Sequence, residues 1–178
     1  QIRRRATAHP RVLLGIGDDC SVLDGNGRPL LITTDMLLDG RHFELGAHGP
    51  RQVGYKALAV NLSDIAAMAG TPVAAFVAVA LPMSGAREIA EELLAGMLPL
   101  AEKYGVALAG GDTNAWSGPL VVCVTVLGES GPRGPVLRSG ARPGDAIFVT
   151  GPLGGSLRGR HLHPLPRVGE ALVLDQCV

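Results

Sequence analysis

The chain has 178 residues, of which 47% are hydrophobic and 18% charged, with a formal net charge of +0. That balance excludes a disordered chain and fits a well-packed one. Aromatics are only 3% and there is no basic excess, which argues against a nucleic-acid binder, whose signatures are stacking platforms and a basic stripe.

Three cysteines (Cys20, Cys123 and Cys177) form no CxxC and no even-numbered framework. A disulfide scaffold and a zinc site are therefore disfavoured, and a reducing cytoplasm is expected. The longest strongly apolar run, Val73 to Met83, contains a proline and is too short to span a bilayer. Arg3-Arg4-Arg5 resembles the start of a signal peptide, but His9, Pro10 and Arg11 interrupt any apolar stretch after it. The chain begins with Gln rather than Met, so further sequence upstream is expected.

In chain order, Val12-Leu13-Leu14 and Cys20 to Leu23 read as short strands around a Gly15-Ile16-Gly17 bend. Asn26-Gly27 is a turn signal. Leu30 to Thr34 reads as a buried strand that delivers Asp35 at its C-terminal end. Arg51 to Ala69 reads as a helix, with Pro50 in its first turn and Gly70 and Pro72 stopping it. Leu58, Leu62, Ile65 and Ala69 share one face and Asn61 and Asp64 another, and so little polar surface remains that burial nearly all round is expected. Val73 to Leu81 is a strand closed by Pro82. Arg87 to Tyr104 is an amphipathic helix with Ile89, Leu93, Leu94, Met97, Leu98 and Ala101 inward, a kink at Pro99 and Gly105 at its end. Val106 to Ala109 is a strand leading into a Gly110-Gly111-Asp112 turn, and Leu120 to Leu127 is a longer strand.

Beyond it, Gly128 to Gly144 is a connection, Ala146 to Thr150 one more strand, Gly151 to Gly159 glycine-rich, and Arg167 to Leu174 the start of a helix. The order predicts an α+β fold, a mixed β-sheet with helices packed on it. A first domain over 1–130 and the beginning of a second over 131–178 are expected, with a soft boundary near Gly131 to Pro135 or near Gly151.

Four aspartate groups stand at the ends of apolar segments or within them: Asp18-Asp19, Thr33-Thr34-Asp35, Asn61 with Asp64, and Gly110-Gly111-Asp112-Thr113. None has a basic residue beside it. Buried carboxylates are normally paired or bound to a metal, and oxygen-only ligands suit Mg²⁺ or Mn²⁺, which share their shell with phosphates. Asp18-Asp19 taken alone reads better as a turn with a capping carboxylate. Asp64 is the strongest candidate, because it lies mid-helix where capping cannot explain it. Asn61, one turn earlier, could share its ligand. Gly110-Gly111 would let backbone approach a phosphate while Asp112 holds a metal, although a simple β-turn fits the same residues. Gly151-Pro152-Leu153-Gly154-Gly155-Ser156 could cradle an anion but lacks the lysine of a P-loop. His161-Leu162-His163 reads as a solvated loop, since no third ligand is near. No nucleophile elbow is present, and Cys20 beside Asp19 is a poor nucleophile.

Taken together, Gly15-Ile16-Gly17-Asp18-Asp19-Cys20, Thr33-Thr34-Asp35-Met36-Leu37, Gly40-Arg41-His42-Phe43, Tyr55 to Asp64, Gly110 to Thr113 and Leu137 to Asp145 resemble the thiamine-monophosphate kinases. The resemblance covers nearly the whole chain. It implies the N-terminal domain of the aminoimidazole-ribonucleotide synthetase-like fold and ATP-dependent conversion of thiamine monophosphate to thiamine diphosphate by in-line transfer. Several Mg²⁺ ions are implied, held by Asp19, Thr33, Thr34, Asp35, Asp64 and Asp112, with Thr33 and Thr34 acting partly through oxygens of the strand end. His42 would face the thiamine phosphate, while Tyr104, Gly111, Asp112 and Arg138 would contact ATP. A homodimer through the N-terminal sheet is implied, with neither nucleic acid nor membrane as partner. In the family a further acidic motif follows downstream of the point where this sequence stops. A smaller departure is Met68-Ala69-Gly70, where the family often reads Met-Gly-Ala.

Overall fold

The computed structural model describes residues 9–177; the Arg3-Arg4-Arg5 run lies outside them. Six strands and three helices follow one another as β1 (Val12–Leu14), β2 (Ser21–Asp24), β3 (Pro29–Leu38), α1 (Leu45–Ala67), β4 (Gly70–Pro82), α2 (Ala86–Tyr104), β5 (Ala107–Trp116), β6 (Val121–Ser130) and α3 (Val168–Cys177). The strands form one sheet in the order β1-β2-β3-β6-β4-β5. Only β4 and β5 are parallel, as the α2 crossover between them requires; every other pair is antiparallel. The fold is α+β with a mixed sheet, as the sequence predicts.

Both long helices cover one face of this sheet. Leu58, Leu62 and Ile65 of α1 are fully buried, as are Leu31 of β3 and Val122, Val124 and Val126 of β6. Each such side chain contributes about 1.5–3 kcal/mol of burial free energy. The helices themselves meet backbone to backbone. A Cβ at Gly96 would overlap the Arg51 carbonyl oxygen, and one at Gly54 would overlap that of Leu93. The other face carries Thr34, Met36 and Phe76 in the open.

Several expectations are corrected. β3 runs on to Leu38, so Asp35 lies inside the strand rather than at its end; pairing with β6 from Leu30 to Leu38 extends it. β5 likewise runs through Gly110-Gly111-Asp112 to Trp116, which removes the turn there. α1 starts at Leu45, earlier than Arg51, with a break at Gly49 (φ 73°, ψ 155°) where Pro50 begins its second part. Leu94 and Leu98 are 47% and 50% exposed, and Leu100 is buried in their place, because the inward stripe of α2 turns with Gly96 against α1. Ala146 to Thr150 forms no strand: no neighbour offers it a ladder, and Ile147 and Phe148 are 94% and 88% exposed. α2 passes through Pro99 and ends at Gly105 in the left-handed conformation, as expected.

Candidate functional site

The periodicity of two along β3 decides what Thr33-Thr34-Asp35 can do. Thr33 is buried on the helix-covered face, and its hydroxyl donates to Asp64 Oδ2 of α1 at 2.7 Å. Asp35, two residues on, shares that face. Thr34 points to the open face, where its hydroxyl meets that of Thr125 at 2.9 Å. A role for Thr34 beside Asp64 is therefore restricted to its backbone.

Asp64 is half-buried in an otherwise apolar stretch of α1. Burial raises its carboxyl above the usual range; the Thr33 hydrogen bond pulls it down, Asp35 and Asp19 push it up, and Arg138 pulls it down. Those neighbours show which groups converge: Asp19 from the bend after β1, Asp35 from β3, Asp64 from α1, and one cation. Arg138 belongs to a short 3₁₀ turn (Arg138–Gly140) beyond the sheet. Its guanidinium pairs with Asp19 and lies 3.8 Å from Asp18, and its backbone N–H donates to Asp18 Oδ2 at 3.1 Å. The partner that the aspartates lack in sequence is thus supplied from 119 residues away. Cys20 sits beneath this group, its thiol pushed up to about 12 by burial and by Asp64, Asp19 and Asp18, so it is inert as a nucleophile.

Asn61 does not reach the cluster. It is fully buried, its Nδ2 bonded to the Ala57 carbonyl at 3.0 Å, and its Oδ1 has no partner among the described residues. Asp112 lies elsewhere too. Its register partner is Ala78, next to Cys123 and then Met36 across the sheet, which puts it on the open face three strands from β3, roughly 14 Å. One chain therefore does not bring Asp112 together with Asp35 and Asp64. Gly111 beside it must be glycine, because φ is 151° and a Cβ would overlap the Val77 carbonyl. Tyr104, at the end of α2, donates its hydroxyl to the Pro166 carbonyl at 2.7 Å. His42 occupies the turn after β3, its Nδ1 accepting from the Leu38 N–H at 3.0 Å.

The donors around Asp64 are all oxygen, which fits Mg²⁺ in chemistry, and a divalent cation is what relieves repulsion among three carboxylates. Among the described residues, however, no three His, Cys, Asp or Glu side chains converge closely enough to hold a metal on their own. Sequence reasoning passed over Lys56, a buried cation in α1 whose ammonium donates to the His42 carbonyl and lies 3.0 Å from His161 Nδ1. His161 is half-buried by that contact and is not the solvated residue expected. A lysine inside the apolar Ala57-Leu58-Ala59 context was the available signal. No helix among the described residues is long and apolar enough to cross a membrane.

Comparison with known proteins places this geometry. A thiamine-monophosphate kinase of Rhodopirellula baltica is 49% identical over 99% of this chain and 58% of its own length. One of Bacillus subtilis is 41% identical over 90% of this chain and 50% of its own. A solved structure described as AaThiL complexed with AMPPCP and TMP superposes with a TM-score of 0.80 at 32% identity, covering 88% of this chain and 56% of that one. The chain thus spans about half the length of these relatives. Residues 17–130 match the family model "AIR synthase related protein, N-terminal domain", and the chain belongs to that family.

Proposed function

We propose that this chain is the nucleotide- and metal-binding part of an enzyme that phosphorylates thiamine monophosphate to thiamine diphosphate with ATP and Mg²⁺, by direct in-line transfer. The observation that carries this is Asp64, held by the Thr33 hydroxyl inside a buried helix with Asp19 and Asp35 beside it. Arg138 offsets Asp19 and the Thr33 hydroxyl holds Asp64, but one cation does not balance three neighbouring carboxylates, and phosphoryl transfer needs such oxygen ligands. Mg²⁺ held by Asp19, Asp35, Asp64 and the Thr33 region would draw charge from the transferred phosphoryl group. The chain's own contribution is positioning: Arg138 offers a planar cation to phosphate oxygens, and His42 stands on the turn after β3 toward the acceptor. An apolar cavity of about 310 Å³ between α2 and the sheet, lined by Leu93, Met97, Leu108, Gly110 and Thr113 among others, has room for the base of ATP. Tyr104 does not line it; its hydroxyl is held by the Pro166 carbonyl, and a contact with nucleotide would have to open that bond. The names of the relatives and the ligands of AaThiL favour the same substrates.

The open sheet face, with Thr34, Met36 and Phe76, is the surface through which a homodimer would form, and Asp112 on that face would serve a site bordering the interface. Residues 1–130 would be the dimerising domain and 131–178 the beginning of a second, in a cytoplasmic protein. A second reading, a non-catalytic domain that binds Mg²⁺ and nucleotide, is favoured by the open geometry of the carboxylates.

A ³¹P NMR time course with ATP, Mg²⁺ and thiamine monophosphate tests the choice. Formation of thiamine diphosphate and ADP supports the kinase. Broadened ATP signals without turnover support the binding domain.

A further inference from the structure

Residues 161–166 cross the helical layer as a strap. The chain has two tyrosines, and the hydroxyls of both are bonded to this strap. Tyr55 of α1 donates to the Pro164 carbonyl at 3.1 Å, and Tyr104 of α2 donates to the Pro166 carbonyl at 2.7 Å. Neither proline has an N–H to give, so the strap meets the helices there with acceptors alone. Aromatic side chains commonly receive proline-rich segments in this way. Leu162 and Pro166, both buried, seat the strap on either side of Pro164.

The third contact is of another kind. Lys56 of α1 is 9% exposed, and its ammonium reaches the His42 carbonyl and, at 3.0 Å, His161 Nδ1. An ammonium has only protons to give, so His161 accepts at Nδ1 and is neutral, with its proton on Nε2. A protonated His161 would set a second cation 3.0 Å from the first with no acceptor between them. Little nearby would offset it. His48 meets the His161 ring edge to face at 5.8 Å, and Arg41, His42 and Glu44 line the same hollow. Arg160 and His163 flank it in sequence. The exposed Glu44 is the one acid of this set, and among the described residues no carboxylate forms an ion pair with His161 or Lys56. Burial, then Lys56 and His48, hold the imidazole below its ordinary pKa. The latch is therefore at full strength above the ordinary imidazole value, and it weakens as pH falls from there through the lowered one.

We propose that residues 161–166 are a proton-released strap, seated on the Tyr55 and Tyr104 hydroxyls, latched to Lys56 by neutral His161, and let go when His161 takes a proton. Closed, the strap ties the segment beyond the sheet to α1 and α2. Open, it returns both tyrosine hydroxyls to solvent. Where Tyr104 meets nucleotide, as the proposed function has it, strap and nucleotide compete for one hydroxyl and acid favours the nucleotide. The latch itself does not rest on that reading.

The test is an NMR titration of this chain, labelled with ¹³C at tyrosine, from about pH 8 to about pH 5 in buffer without magnesium or nucleotide. Both ring signals are expected to move together in one transition below about pH 6.5. They should stay still in His161→Gln, whose amide oxygen accepts from Lys56 but takes no proton. Lys56→Met should also abolish the transition, because the repulsion is gone. A wild type in which neither ring moves, or a His161→Gln variant in which both still do, overturns the proposal. So does movement of Tyr55 alone, which titration of His163, 5.7 Å from its ring, would produce. Trp116 lies on β5 at the edge of the sheet, and its emission should hold through the transition. A change there in step with the tyrosines means general unfolding and also overturns the strap. Should His161→Gln fail to fold, Lys56→Met decides on the same readout. With no metal or nucleotide present, a failed latch and a failed kinase assay are told apart.

Discussion

The Thr33 hydroxyl and the Asp64 carboxylate meet at 2.7 Å across 31 residues of sequence, one from the central part of a strand and the other from a buried helix. This bond fixes the rotamer of the carboxylate and offsets part of the cost of burying it. It does not cancel that cost, since burial, Asp35 and Asp19 leave the acid raised. An acid raised in the folded state binds its proton more tightly there than in the unfolded chain. Stability therefore falls as pH rises from the ordinary carboxylate value through the folded one.

Asp64→Asn should consequently stabilise the protein at neutral pH, by on the order of 1 kcal/mol, while abolishing Mg²⁺–ATP binding. The amide keeps the acceptor for Thr33 and removes the repulsion. Thermal melts in magnesium-free buffer from acid to neutral pH should show a flatter profile for the variant. A variant less stable than the wild type at neutral pH would contradict the account.

Asp112→Asn should behave differently. Its carboxylate is exposed and bonded only to its own neighbours, the Thr113 N–H and Asn114 Nδ2. Its melting temperature should stay near that of the wild type, while on the kinase reading thiamine diphosphate formation is lost. Turnover in both aspartate variants equal to that of the wild type would remove the kinase reading.

Arg138→Gln should move two affinities in opposite directions. The Arg138 guanidinium already pairs with Asp19, and a metal on Asp19 must first open that pair. Calorimetry should show tighter Mg²⁺ binding in the variant when no nucleotide is present, and weaker ATP binding when Mg²⁺ is saturating. The difference for Mg²⁺ should shrink with added salt, since the Arg138 side of the pair is exposed.

Ala69 follows the end of α1 with φ at 52°, a left-handed conformation that glycine adopts without strain. Gly70 cannot exchange with it, because a Cβ there would meet the Leu31 and Ile65 side chains. Ala69→Gly should therefore stabilise the chain by about 0.5–1 kcal/mol, read from denaturant midpoints. Gly96→Ala should do the reverse, by about 1–3 kcal/mol, because the added methyl forces α1 and α2 apart.

Much of this was legible in the residues. Alternation and apolar runs located the strands, Gly105 marked the end of α2, and Pro50 marked the second part of α1 rather than its start. Asp64 stood out because a carboxylate had no local reason to be there. What escaped were properties of pairing between distant segments. β3 and β5 extend past their apolar stretches because β6 and β4 supply hydrogen bonds, and neither Thr34 nor Asp112 could be assigned a face until register was known. Conversely, Ala146 to Thr150 has a strand's composition and no strand to join. Lys56 and His161 were missed because each is ordinary alone, and only tertiary contact makes the pair informative.

The ion pair between Arg138 and Asp19 also separates two boundaries that are easily taken as one. The sheet closes at Ser130, so a polypeptide cut there would retain every strand and both covering helices. It would nonetheless hold Asp18, Asp19, Asp35 and Asp64 without the cation that Arg138 supplies, and its stability would rise with salt or added magnesium. The unit that is complete in strands ends before the unit that is balanced in charge.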